Sequence, residues 1–311
     1  MPYKKFTAVG LAAVACVAVA ACSSGGSGKS SSSSGSNPLA PSASNSVVVG
    51  SANFPEDELL AQIYADALTS AGVKVTTKFN IGAREVYYPE VVKGAISIIP
   101  EYNGALLTTS VDKTSTAAST ADVDAALKAK LPSSVEILNS SAAQDKDSIT
   151  ITQANASKYH LTSIADLSSV AKTWIIGGPS EFDTRADGVP GLKKVYGLTF
   201  KSFSPLDESG PITLAALQSG KVQAADVFTT TPQIITDKLV SLSDPKNMFA
   251  AQNVLPLVYK KAASAKVVST LNAVSAKLTT AGLLAMDKSL SIDHKSYTSV
   301  ASTWLSQNGL K

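Results

Sequence analysis

Two segments of the chain, 126 residues apart, repeat one order of residues at the end of a predicted strand. The first is VVKGAISIIPEYNG, beginning at Val91, and the second is LQSGKVQAADVFTT, beginning at Leu217. In this alignment Tyr102 matches Phe228. Repetition of a whole order of elements is harder to obtain by chance than any single match. The pattern therefore predicts two similar lobes, each ending a central strand in an aromatic residue.

Strand and helix patterns alternate within the first half. VVVG at 47–50 predicts a buried strand, and a helix is expected to begin at Pro55, with three acids in its first turn, and to end at Gly72. A second strand, a helix broken or kinked by Pro89, and the apolar run at 95–99 follow. This β-α-β order predicts an α/β fold in which helices pack on mostly parallel sheets.

The later part of the chain repeats the scheme. GPSEF at Gly178 lies about as far from GSANF at Gly50 as the strand ends lie from each other. Two such lobes would point their strand ends at a common cleft, where loops offer side chains to a ligand. Tyr102 and Phe228 would then be opposed walls of that cleft. The alternative is that each aromatic side chain only covers its own sheet.

The N-terminus has the features of a secretory signal. Lys4 and Lys5 precede an apolar run from Ala8 to Ala21 that is too short for the roughly 20 residues of a membrane span. Small residues directly precede Cys22, a pattern that resembles a bacterial lipobox. We expect a signal peptide at 1–21 and lipidation of Cys22.

Composition limits the remaining possibilities. Residues 22–46 are almost entirely small or polar, which predicts a disordered tether behind the lipidated cysteine. The other cysteine, Cys16, lies in the signal, so no disulfide is expected in the mature chain. Without Lys4 and Lys5 the chain has 25 basic and 24 acidic residues, a net charge of +1, and nucleic acid is not an expected partner.

Four stretches carry a family resemblance: GSANFPEDELLAQIYADAL, EVYYPEVVKGAISIIPEYNGALL, GGPSEFDTRADGVPGLKKVYGLTFKSFSPLD and AADVFTTTPQI. Together they resemble the osmoprotectant-binding lipoproteins of ABC importers, which take up glycine betaine, choline, carnitine or proline betaine. The likeness runs from about Val47 to Leu305. It implies a two-lobe type II periplasmic-binding-protein fold that closes on a solute and docks on a membrane permease.

The resemblance also implies where the chain crosses between lobes. Lobe 1 would comprise 47–142 and 255–311, and lobe 2 would comprise 143–254. Crossings near 142–147 and 250–256 would form the hinge. We expect a monomer held on the extracytoplasmic face of the cell membrane through Cys22, with no cofactor and no metal.

The family binds trimethylammonium groups in a cage of aromatic rings by cation–π attraction. Tyr102 matches a cage tyrosine, and Arg185 matches the arginine that holds a ligand carboxylate. Phe228 stands where many members have tyrosine. The alternative for Arg185 is a surface pair with Asp183 or Asp187. The predicted ligand contacts are Ser51, Asn53, Tyr102, Asn103, Arg185, Phe228, Thr229 and Gln252.

The sequence departs from the family pattern in ways that leave the solute open. Ser148 and Gln252 lie about where further cage tyrosines fall, so the cage looks depleted, although Tyr87 and Tyr88 could contribute rings. A different polar or zwitterionic solute is therefore an alternative, as is a sensor lipoprotein that needs no permease.

A cell-envelope enzyme is the weakest alternative. The two histidines, His160 and His294, have no metal-binding spacing, and no nucleophile elbow or phosphate loop occurs in the sequence. Glu101 and Glu181 could form an acid–base pair, one from each lobe. More often such carboxylates accept backbone hydrogen bonds or orient an arginine.

Overall fold

The computed structural model describes residues 46–311. The predicted signal peptide, Cys22 and nearly all of the predicted tether lie outside the described residues. The strands are β1 (Val47–Gly50), β2 (Val75–Lys78), β3 (Ile98–Tyr102), β4 (Val135–Ile137), β5 (Asp147–Thr152), β6 (Ile175–Gly178), β7 (Ser202–Pro205), β8 (Ala224–Phe228), β9 (Leu239–Ser241) and β10 (Val254–Tyr259). The helices are α1 (Pro55–Ser70), α2 (Arg84–Lys93), α3 (Asn103–Leu106), α4 (Thr120–Lys130), α5 (Gln153–Tyr159), α6 (Val189–Tyr196), α7 (Pro211–Gln218), α8 (Gln233–Thr236), α9 (Ala265–Ser275), α10 (Thr280–Ser291) and α11 (Tyr297–Gln307).

The strands form two sheets of five, and the sheets share one topology. Their strand orders are β2-β1-β3-β10-β4 and β7-β6-β8-β5-β9. In each sheet the third strand is parallel to the second and antiparallel to the fourth. β3 and β8 therefore occupy the same central position and end in Tyr102 and Phe228. The predicted two-lobe α/β fold is confirmed.

Lobe 1 is built from both ends of the described chain. Its sheet contains β1 to β4, from residues 47–137, and β10, from residues 254–259. The three C-terminal helices complete its core. α1 lies at the centre of this core, with Leu59, Leu60, Ile63 and Leu68 fully buried. Gly72 follows α1 with a φ of +79°, which glycine adopts readily. The predicted helix end is thereby confirmed.

Proline residues lie inside two elements of lobe 1. The apolar run at 95–99 leads into β3, which continues through Pro100 and ends at Tyr102, the predicted aromatic strand end. Pro100 lies opposite Pro256 of β10. Because neither residue has an N–H, they suit a pair that exchanges no hydrogen bonds in an antiparallel ladder. The predicted break of the helix at Pro89 is wrong, because α2 runs without interruption from Arg84 to Lys93 with Pro89 in its interior.

The two chain crossings run side by side between the lobes. The backbone N–H of Asp145 donates to the carbonyl of Gln252 at 3.2 Å. Asn103 Oδ1 accepts from the backbone N–H of Asn253 at 2.7 Å and from that of Gly104 at 2.9 Å. A Cβ on Gly104 would lie 2.3 Å from the Ala251 carbonyl oxygen, so the close approach requires glycine here.

Within residues 46–311, no single helix combines the length and apolar character that a membrane span needs; α9 and α10 meet that test only as a pair, with an 88° bend between them.

We expect Asn103→Ala to lower the free energy of unfolding by about 1–3 kcal/mol, because two buried N–H groups lose their acceptor. Asn53→Ala is the matched control. Asn53 is exposed, so its replacement should change stability by less than about 0.5 kcal/mol. Urea unfolding followed by circular dichroism measures both. Equal stability of the two variants would contradict the structural role of Asn103.

Candidate functional site

Three aromatic rings from both lobes form one wall of the cleft. Phe54 precedes α1, Tyr102 ends β3, and Phe228 ends β8 of the other lobe. The ring of Phe54 lies 6.0 Å from that of Tyr102 and 5.2 Å from that of Phe228, measured between centroids. All three rings line the same cleft. We call them the ring cluster.

The carboxylate of Glu56 orients the ring cluster from behind. The Tyr102 hydroxyl donates to Glu56 Oε1 at 2.5 Å, and the Thr230 hydroxyl from lobe 2 donates to Glu56 Oε2 at 2.6 Å. Asp287 of α10 lies beside Glu56, and its Oδ2 accepts no hydrogen bond from the described residues. Burial, reinforced by the charge of Asp287, raises the pKa of Glu56 well above its ordinary value.

Two arginines line the cleft, and each is already paired with a glutamate. Arg84 donates to both oxygens of the fully buried Glu101 at 3.0–3.1 Å, and the Tyr87 hydroxyl donates to the same carboxylate at 2.8 Å. Arg185 of lobe 2 donates through Nε and Nη2 to Glu85 of lobe 1, at 3.0 Å for each bond.

The Arg185–Glu85 pair is partly buried and joins the lobes. Burial opposes ionisation of Glu85, but the hydrogen bonds and charge of Arg185 outweigh this effect and lower the pKa of Glu85. Neither surface pairing considered for Arg185, with Asp183 or with Asp187, is present. The arginine faces the cleft instead, so that alternative is wrong.

The loop that carries Arg185 is held by tight backbone contacts. The N–H of Arg185 donates to the Glu181 carbonyl at 2.9 Å, and that of Gly188 donates to the Arg185 carbonyl at 3.0 Å. A Cβ on Gly188 would lie 1.9 Å from the carbonyl oxygen of Phe182. The DTRADG stretch therefore requires glycine at its end to bring Arg185 and Asp187 to the cleft.

Hydrogen bonds connect the lobes at three places around the cleft. Thr108 of lobe 1 donates to Asp187 Oδ2 at 2.6 Å, in addition to the Glu56–Thr230 and Glu85–Arg185 contacts. All three contacts join side chains of one lobe to side chains of the other. The lobes are therefore in a closed arrangement, with the cleft between them.

Carboxylates outnumber cations among the residues that line the cleft. Asp145, Asp147, Asp187 and Glu208 contribute four, against the two arginines that Glu101 and Glu85 already engage. Burial is the largest cause of the raised pKa values of Asp145, Asp187 and Glu208. The cleft consequently favours positive charge.

Four of the eight predicted ligand contacts line the cleft: Tyr102, Arg185, Phe228 and Gln252. Gln252 is held in place by Asp147, whose backbone N–H donates to Oε1 and whose Oδ2 accepts from Nε2. The closed arrangement brings these four side chains together. Their contact with a ligand stays a prediction.

The other four predicted contacts do not line the cleft. Ser51 is buried and accepts from the N–H of Asn80, Asn103 holds the hinge, and Asn53 is exposed. Thr229 accepts a hydrogen bond from the N–H of Lys146. These positions fit local structural roles.

Phe54 and Phe182 line the cleft but were not among the predicted ligand contacts. The repeat in the sequence could have identified both residues, because they end GSANF and GPSEF, which follow the equivalent strands β1 and β6. Asn53 was predicted instead, but it is exposed, whereas the adjacent Phe54 is buried and lines the cleft. Six polar residues in or beside the cleft were also not predicted as ligand contacts: Glu56, Arg84, Asp145, Asp147, Asp187 and Glu208.

The residues considered for other chemistry have structural partners. Glu101 is enclosed by Arg84 and Tyr87, whereas Glu181 accepts a hydrogen bond from the neighbouring Ser180 hydroxyl. Across residues 46–311, no group of three or more His, Cys, Asp or Glu side chains is arranged to hold a metal ion.

Residues 45–307 match the OpuAC family, described as the substrate-binding domain of ABC-type glycine betaine transport systems. The chain belongs to this family. The glycine betaine-binding protein YehZ of Escherichia coli K12 is similar to this OpuAC domain. The two are 28% identical over 280 residues, which cover 86% of this chain and 92% of YehZ.

Solved structures share the fold of this chain. A glycine betaine/carnitine/choline ABC transporter structure superposes with a TM-score of 0.65 at 21% identity, covering 85% of this chain and 99% of that chain. Lactococcal OpuAC in its closed form with glycine betaine gives 0.60 at 16% identity, covering 86% and 97%. At these identities the likeness shows the fold.

The buried carboxyl group of Asp287 should make the OpuAC domain less stable as pH rises. Burial raises the pKa of Asp287 from 3.8 to about 7, so the folded protein binds a proton that the unfolded chain releases. Its contribution is complete below about pH 4 and is lost as pH rises through about 7. The contribution of this group to the free energy of unfolding is at most about 4 kcal/mol.

We expect the free energy of unfolding of Asp287→Asn to decrease less between about pH 5 and 8 than that of the unmodified protein, measured by urea titration. The exposed Asp293 provides the control, since Asp293→Asn should leave the slope as it is in the unmodified protein. An unchanged slope in Asp287→Asn would show that this carboxyl group is not the titrating one.

Proposed function

We propose that the protein is a lipid-anchored, extracytoplasmic receptor that captures a quaternary ammonium solute and delivers it to an ABC permease. The solute belongs to the betaine, choline or carnitine class. The ring cluster of Phe54, Tyr102 and Phe228 is the observation that carries this proposal. It lies where two lobes close, beside a wall of carboxylates.

The ring cluster suits a methylated ammonium group. Aromatic faces attract a cation through their quadrupole, and the attraction is about 0.5–2 kcal/mol for each well-placed ring when water is excluded. The methyl groups also gain from leaving water. A trimethylammonium group against these rings would satisfy both contributions without any N–H or O–H donor.

The charges that line the cleft favour some members of this solute class over others. The cleft contains more carboxylates than free cations, so a cation such as choline gains more than a zwitterion. Arg185 remains the group to hold a ligand carboxylate, because Glu85 engages Nε and Nη2 and leaves Nη1 outside the pair. The glycine betaine-binding relative YehZ supports the class as a whole.

The closed arrangement supports a delivery role. Contacts such as Thr108–Asp187 and Glu85–Arg185 join the lobes next to the cleft, so an enclosed ligand would favour the closed form. A permease can then distinguish loaded from empty protein by shape. Membership of the family of ABC substrate-binding domains supports delivery to a permease over the alternative of a sensor lipoprotein.

Replacement of Phe54 or Phe228 by leucine should weaken choline binding about 2- to 30-fold, because leucine keeps bulk but loses the quadrupole. Isothermal titration calorimetry measures this. Tyr159→Leu is the control, since Tyr159 packs on Trp174 and does not line the cleft. The neutral isostere 3,3-dimethylbutanol should bind the unmodified protein more weakly than choline. Equal affinity for both compounds would contradict a cation site.

The anchor has a separate test. Cys22→Ser should move the protein from the membrane fraction to the soluble fraction, because no lipid can be attached to the serine. Fractionation with immunoblotting measures the distribution, and Cys16→Ser is the control, since Cys16 lies inside the predicted signal. A variant that stays in the membrane fraction would rule out Cys22 as the anchor.

A further inference from the structure

Glu85 offers Arg185 a carboxylate from the chain itself. Arg185 donates to both Glu85 oxygens, through Nε and through Nη2, at 3.0 Å for each bond. Two parallel N–H···O bonds are the arrangement in which an arginine recognises a carboxylate strongly and in one orientation. The chain therefore occupies the donor edge of Arg185 that the carboxylate of a zwitterionic solute would need.

Arg84 and Glu85 are neighbours at the start of α2, but they form different ion pairs. Arg84 is buried and pairs with the fully buried Glu101 of its own lobe. Glu85 instead reaches Arg185 of lobe 2, and 46% of its side chain is exposed, against 14% for Arg185. Because Glu101 compensates Arg84, Arg185 is the guanidinium whose compensation depends on Glu85.

The surroundings of Arg185 make this compensation important. Burial lowers the pKa of Arg185, but the hydrogen bonds and charge of Glu85 raise it, and the net direction is upward despite the positive charge of Arg84. Without the charge of Glu85, the cleft would present Arg185 as an uncompensated cation. Such a cation attracts the carboxylate of a zwitterion and repels a solute that carries positive charge alone.

We propose that Glu85 is a positioning residue that determines specificity, giving the cleft its preference for a solute with positive charge alone over a zwitterion. It acts through Arg185 rather than by contact with the solute, as a competitor for the donors of that side chain. The inference rests on the proposed function, because the ring cluster binds the quaternary ammonium group that both kinds of solute carry.

Choline and glycine betaine separate this role from a purely structural one. Both carry a trimethylammonium group, but only glycine betaine carries a carboxylate. Glu85→Gln keeps the shape of the side chain and removes its charge, so the charge and donors of Arg185 become available to the solute. Titration calorimetry should show that the ratio of the glycine betaine Kd to the choline Kd falls about tenfold or more, as charge-assisted hydrogen bonds predict.

Glu90→Gln is the matched control and should leave the ratio unchanged, because Glu90 lies on the same helix and pairs with Lys93. Adding Arg185→Gln to Glu85→Gln should reverse the fall in the ratio, since the effect acts through Arg185. Equal weakening of both ligands in Glu85→Gln would mean that Glu85 only joins the lobes, which would overturn the inference and leave the proposed function intact. Failure of both ligands to bind the unmodified protein would overturn the proposed function, and the inference with it.

Discussion

Burial of negative charge between the lobes is the constraint on which the cleft depends. Taking a carboxylate out of water is expensive unless a cation, a proton or several donors compensate. Glu101 and Glu85 are compensated by arginines, with three and two hydrogen bonds respectively. Other carboxyl groups have raised pKa values, so protons supply part of the compensation. A cationic solute can compensate the negative charge that the arginines and protons leave.

The same constraint connects ligand binding to lobe closure. Glu56 accepts hydrogen bonds from Tyr102 in its own lobe and from Thr230 in the other. The Glu56 carboxyl group thus orients the Tyr102 ring of the ring cluster and joins the lobes. A ligand that stabilises this ring in place favours the closed form, because the Glu56 contacts require both lobes together.

The sequence predicted the two-lobe architecture because the same order of strands, helices and aromatic strand ends occurs twice. Tyr102 and Phe228 end equivalent strands, and the structure places them on one cleft, one from each lobe. The buried acids could not be predicted in the same way. Acids in a first helical turn normally complement the helix dipole at the surface, yet Glu56 is 5% exposed and accepts hydrogen bonds from Tyr102 and Thr230 behind the ring cluster.

Other site residues depend on contacts that no local pattern specifies. Arg84 pairs with Glu101 because the fold brings the start of α2 beside the end of β3, a contact between segments that are distant in the sequence. Phe54 was missed beside Asn53 because the direction of a turn decides which of two neighbours faces the cleft. Tertiary structure, rather than propensity, selects between such residues.

A crystal structure of the protein with choline tests the central claim most directly, which is that the ring cluster binds a quaternary ammonium group. We predict that the choline nitrogen lies within about 6 Å of the ring centroids of Phe54, Tyr102 and Phe228, with the lobes closed. A choline nitrogen bound away from these rings, or an empty cleft at saturating choline, would contradict the claim.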